Sequence, residues 1–61
     1  MLSGYTLRVI ENCPPLIIGE TVYCIEDCPK RRIFRVYIPR GVFGVNEVIF
    51  SYGKKECFKI V

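Results

Sequence analysis

Apolar and polar residues alternate in five short stretches of this chain. A period of two places successive side chains on opposite faces of a β-strand. Residues 5–11 set Tyr5, Leu7 and Val9 against Thr6 and Arg8, so a first strand with the odd positions inward is expected. The stretch 20–27 puts Val22 and Cys24 on one face and Tyr23 and Ile25 on the other. After Cys28-Pro29-Lys30-Arg31, which reads as an exposed turn, the stretch 32–38 puts Phe34, Val36 and Ile38 on one face and Ile33, Arg35 and Tyr37 on the other. A fourth strand is expected over 47–52, with Val48 and Phe50 inward and Ile49 outward, and a fifth over 57–61, with Phe58 and Ile60 inward. Both halves of the central pair, 20–27 and 32–38, are rich in the β-branched and aromatic residues that favour strands.

The connections carry their own signals. Asn12-Cys13-Pro14-Pro15 cannot continue a ladder, because two successive prolines remove two donors. Leu16-Ile17-Ile18 then form a loop with at least one side chain on the core, and Gly19 marks the re-entry into the second strand. Pro39-Arg40-Gly41 reads as a turn, extended by Gly44 and Asn46. Gly53-Lys54-Lys55-Glu56 makes one turn, of 3₁₀ type. A helix is disfavoured throughout: alanine is absent, leucine is sparse, and proline, glycine and β-branched residues interrupt every long window. The prediction is a single all-β domain, a small five-stranded, partly open barrel.

Composition sharpens this picture. The chain has 61 residues, enough for one domain over 1–61, and 51% of them are hydrophobic. So short a chain buries only about 60% of its unfolded surface. It therefore carries more apolar residues than one core can hide, and some are expected at a surface that another molecule covers. No apolar run approaches the roughly 20 residues of a membrane-spanning helix. Met1-Leu2-Ser3-Gly4 has neither a basic nor an apolar leader region, so a cytoplasmic location is expected.

The run Leu7-Arg8-Val9-Ile10-Glu11-Asn12, then Leu16-Ile17-Ile18-Gly19-Glu20-Thr21-Val22-Tyr23-Cys24-Ile25-Glu26-Asp27, then the closing Phe58-Lys59-Ile60-Val61, resembles short SH3-like barrel proteins encoded by bacteriophages. The resemblance covers most of the chain. It implies the SH3-like fold and a host-cytoplasmic setting, and it implies no reaction. The chain departs from that pattern in having Cys28-Pro29-Lys30-Arg31 in place of an acidic turn, and in lacking a tryptophan in the fourth strand.

Candidate chemistry is sparse. The chain has no histidine, which removes the commonest general base. It has no Gly-rich phosphate loop. Glu26 and Asp27 would point to opposite faces of a strand, which makes a poor acid–base pair. No catalysis and no cofactor is expected. The four cysteines, Cys13, Cys24, Cys28 and Cys57, admit three readings. Zinc would need paired ligands, and only Cys24 and Cys28 approach that spacing. A disulfide could join Cys13 to Cys57 if the first and last strands are antiparallel neighbours. Free thiols serving as small core hydrophobes is the favoured reading, best fitted by Cys24, and no metal site is assigned.

Two surfaces compete for a function. Tyr23, Ile25, Ile33, Tyr37 and Ile49, with Arg35 among them, would form an apolar patch of a few hundred Å², the size that marks binding sites. This favours recognition of a protein partner, or self-association through the same patch; a phage origin would make the partner a host protein that is inhibited or redirected. The alternative is nucleic acid held by Lys30, Arg31, Arg32, Arg35 and Arg40, with nearby tyrosines for stacking. The net charge of +3, with its clustered basic residues, suits a solvated turn better than such a partner. Tyr5, Tyr23, Tyr37 and Tyr52 could line a groove for proline-rich segments, but packing of their rings on the barrel is the favoured reading.

Overall fold

A computed structural model describes residues 3–61. Met1 and Leu2, on which part of the leader argument rests, lie outside them. Five strands run β1 (Thr6–Val9), β2 (Thr21–Cys28), β3 (Ile33–Val42), β4 (Val45–Ser51) and β5 (Phe58–Ile60), with a 3₁₀ segment at Tyr52–Cys57. They form one antiparallel sheet in the order β4-β3-β2-β1-β5. The last strand returns beside the first, and the sheet does not close. The chain is thus a small, five-stranded, SH3-like, partly open β-barrel.

The alternation places the core. Leu7, Val9, Val22, Cys24, Phe34, Val36, Ile38, Phe50 and Phe58 are buried on the inner face. Phe34, Phe50 and Phe58 meet pairwise with ring centroids 5.6–5.8 Å apart. Tilted and edge-on aromatic pairs of this kind add roughly 0.5–1.5 kcal/mol each beyond their area burial. Loop 10–20 plugs one end of the core. Its Cys13 and Leu16 close a tight turn around a cis Pro14–Pro15 bond, with the Leu16 N–H donating to the Cys13 carbonyl at 2.9 Å, and both side chains are buried. Ile17 and Ile18 stay exposed.

Several boundaries differ from the sequence reading. Tyr5 is exposed and lies just before β1, which begins at Thr6. Ile60 stands opposite Leu7 yet is half-exposed, because β5 is an edge strand with no neighbour beyond it. Residues 39–42 are not a turn but the end of β3. The β3–β4 register shifts between Tyr37↔Glu47 and Val42↔Val45, so the extra β3 residues bulge out. The bulge accommodates Pro39, which has no donor to give a ladder. Gly41, at φ +70°, allows the bend, and the Asn46 Nδ2 donates to the Ile38 carbonyl at 3.2 Å across it. The reversal itself is Phe43-Gly44, with φ +51° and +79°, a two-residue hairpin turn of the primed type.

Candidate functional site

On the outer face of β2, β3 and β4 the strand pairing brings together several exposed apolar side chains. Tyr23 stands opposite Tyr37, and Tyr37 opposite Glu47, forming one row across the three strands. Glu26, Arg35 and Ile49 form the next row. A bulge between Cys24 and Glu26 leaves Ile25 as the extra residue, so Ile25 and Glu26 both face outward and Asp27 turns inward. The Cys24 thiol donates to the Glu26 carbonyl at 3.4 Å across this bulge. Tyr23, Ile25, Tyr37 and Ile49 are all exposed.

The remaining two candidates of this face sit differently. Ile33 pairs with Cys28 and Ser51 at the end next to the turn, and is only partly exposed. Arg35 lies between two carboxylates, with Nε 3.6 Å from Glu26 Oε1 and Nη1 3.6 Å from Glu47 Oε1. All three side chains are well exposed, so each pair contributes at most about 1 kcal/mol to stability. The two carboxylates offset the charge of the guanidinium. The face therefore reads as four large apolar groups around a Glu–Arg–Glu centre.

Beside Tyr23 a cleft of about 490 Å³ opens, lined by Ile17, Gly19, Glu20, Thr21, Tyr23, Pro39 and Arg40. Among the described residues, no group hydrogen-bonds the buried Oε1 of Glu20. Sequence reading missed this cleft, because it takes Pro39 and Arg40 from a segment read as a turn and Ile17 from a distant loop.

The basic residues divide into two groups. Lys30, Arg31 and Arg32 occupy the exposed turn between β2 and β3, and the Arg32 carbonyl accepts from the Tyr52 N–H at 2.9 Å. That contact ties the turn to the first residue of the 3₁₀ segment, in which the Lys55 ammonium lies 3.7 Å from the Tyr52 ring centroid. Arg40 lies near the other end of β3. At about 3.3 Å per strand residue, it stands on the order of 25 Å from Arg32. The structure thus ties the Lys30–Arg32 turn to the 3₁₀ segment that carries Lys54 and Lys55, and separates that turn from Arg40 and from the paired Arg35.

Under the basic end, the Tyr52 hydroxyl donates to the Asp27 carboxylate. That bond, with burial and the carboxylate's charge, pushes the Tyr52 phenol up to about 12. The four cysteines are free thiols: Cys13, Cys24 and Cys57 are buried and Cys28 is partly so. Burial raises the Cys24 thiol, and burial together with the neighbouring Cys57 side chain raises the Cys13 thiol to about 11. Among the described residues, no group of three or more His, Cys, Asp or Glu side chains is placed to hold a metal ion. No helix among them is long and apolar enough to cross a membrane. No protein-family model, curated protein or solved structure matches this chain.

Proposed function

We propose that this chain is a non-catalytic protein-binding module that engages its partner through the outer face of β2, β3 and β4. The observation that carries the reading is the exposure of Tyr23, Ile25, Tyr37 and Ile49 side by side on one face, while the opposite face already supplies the core. Tyrosine and arginine are the residue types enriched where interfaces concentrate their energy. The adjoining cleft supports the same reading, since Tyr23 lines it and joins it to the outer face. The resemblance to short phage barrels supports a host protein as the partner, inhibited or redirected in the host cytoplasm. A second copy of the chain is the other occupant this face suits.

The test is Tyr37→Ala and Ile49→Ser. Truncating a true anchor costs about 2 kcal/mol or more of binding, roughly 30-fold in affinity. The fold should lose less than about 1 kcal/mol, the scale of one cross-strand pair. Self-association is read by sedimentation, partner capture from nuclease-treated cell extract by mass spectrometry, and stability by thermal melting. Association unchanged by both substitutions overturns the reading.

A second reading rests on the basic end, where Lys30, Arg31, Arg32, Lys54 and Lys55 converge. Five cations on one end support single-stranded nucleic acid as a ligand. The pairing of Arg35 and the remoteness of Arg40 favour the protein partner over it.

A further inference from the structure

We propose that Cys13 and Cys57 are a dithiol–disulfide couple, which closes into an intramolecular cross-link between loop 10–20 and the start of β5 when the folded chain meets a low-molecular-weight disulfide. The argument begins with strand register. Val9 stands opposite Phe58, and the Ile10 N–H donates to the Cys57 carbonyl at 2.7 Å, so Cys57 lies beside the point where β1 ends. Three residues on, the Cys13–Leu16 turn folds back into the core, and this brings Cys13 into the same buried cluster as Cys57. The Cys57 side chain neighbours that of Cys13 there, with Cys13 only 1% and Cys57 9% exposed.

The other two thiols have no such arrangement. Cys24 and Cys28 lie four residues apart on one strand. Strand rise puts their Cα atoms roughly 12 Å apart, beyond the roughly 7 Å that a disulfide spans. That excludes a Cys24–Cys28 bridge within the strand, and the pair that neighbours in the core is Cys13 and Cys57.

The chemistry is two successive exchanges. Cys57, the more exposed thiol, gives up its proton and attacks one sulfur of the small disulfide. A mixed disulfide forms, and the first small thiolate leaves and takes up that proton. Cys13 then gives up its proton and attacks the Cys57 sulfur. The protein S–S bond forms and the second small thiolate leaves and is protonated. The protein loses two protons and two electrons, and the small disulfide is reduced to two thiols. The second step is slow near neutral pH, because burial holds Cys13 in its thiol form and the thiolate is the attacking species. A reducing cytoplasm keeps the couple open, and oxidising surroundings close it.

The experiment incubates the full chain with oxidised glutathione, over a range of glutathione ratios and from pH 7 to pH 9. Three quantities are read: the mass of the intact chain, the bridged peptides under non-reducing digestion, and the melting midpoint. The expected product is two hydrogens lighter, carries a Cys13–Cys57 peptide pair and forms faster as pH rises. It melts roughly 15 °C or more higher, because the bridge restricts a long loop of the unfolded chain. The Cys24→Ser/Cys28→Ser double variant should behave in the same way, and Cys13→Ser should stop at a mixed disulfide on Cys57. If Cys13→Ser does not fold, the double variant alone decides, since only Cys13 and Cys57 remain in it. Four thiols still free after full exposure, glutathione adducts that never resolve, or bridging through Cys24 or Cys28 overturns the proposal.

Discussion

Tyr52 shows how one side chain joins the buried and exposed parts of this molecule. Its ring packs 6.4 Å from that of Phe34 in the core, its outer side carries the Lys55 ammonium, and its hydroxyl donates to the buried Asp27. The bond to a carboxylate stabilises the protonated phenol, which is why that phenol is raised to about 12 from the ordinary value near 10. A folded-state value above the unfolded one contributes stability that is complete below about pH 10 and is lost as pH rises through about 12. Tyr52→Phe keeps the ring and removes the donor. Its melting midpoint should fall below wild type at neutral pH, and the difference should shrink from about pH 10 upward. Parallel melts across that range check it; a difference that stays constant to pH 12 shows that the hydroxyl is not the cause. None of this was legible in the sequence, where Asp27 and Tyr52 are far apart and Asp27 reads as an ordinary exposed strand end. The signal lies in the β2 bulge, which shifts the alternation by one and turns Asp27 inward.

At the scale of elements, period-two alternation was sufficient wherever a strand pairs on both sides or covers the core. Leu7 and Val9, Val22 and Cys24, and Phe34, Val36 and Ile38 all lie where the pattern places them. The pattern failed at the β3–β4 hairpin, because Pro39 and Gly41 are turn formers that here serve a bulge just before the true reversal. Asn46 could not be read as the residue that spans that bulge until the register was known. The reversal itself departs from local preference: Phe43 occupies a left-handed position that favours asparagine, aspartate or glycine, and it is 96% exposed. So exposed a side chain contributes almost no packing, while its backbone conformation costs an L-residue about 1–2 kcal/mol. Phe43→Asn should therefore raise the stability of the isolated chain by about 1 kcal/mol, read as a higher urea midpoint with an unchanged slope. A lower midpoint would mean that the ring stabilises the hairpin through contacts other than those described.

The whole molecule separates its two candidate surfaces, and salt is the variable that tells them apart. The outer face gathers Tyr23, Ile25, Tyr37 and Ile49 around an arginine whose charge is offset by two glutamates. Binding there draws on apolar burial, which salt screens little. The basic end gathers Lys30, Arg31, Arg32, Lys54 and Lys55, and binding of a polyanion there releases counterions. For single-stranded nucleic acid the affinity should fall with a log–log salt slope of about −0.7 per phosphate neutralised, hence about −3.5 if all five cations engage. The sequence grouped Arg35 and Arg40 with this set because it shows charges along a line. Only the register shows Arg35 between acids, and only the length of β3 shows Arg40 at its far end. Replacing Lys30, Arg31 and Arg32 together with glutamate should leave association through the outer face unchanged between low and high salt, while Tyr37→Ala should weaken it at every salt concentration. Fluorescence anisotropy with a labelled single-stranded oligonucleotide supplies the opposing measurement on the same proteins. Binding with a slope near −3.5, abolished by the triple substitution and indifferent to Tyr37→Ala, would move the working surface from the apolar face to the basic end. A flat salt dependence with sensitivity to Tyr37 keeps it on the sheet, where burial of exposed apolar area drives association.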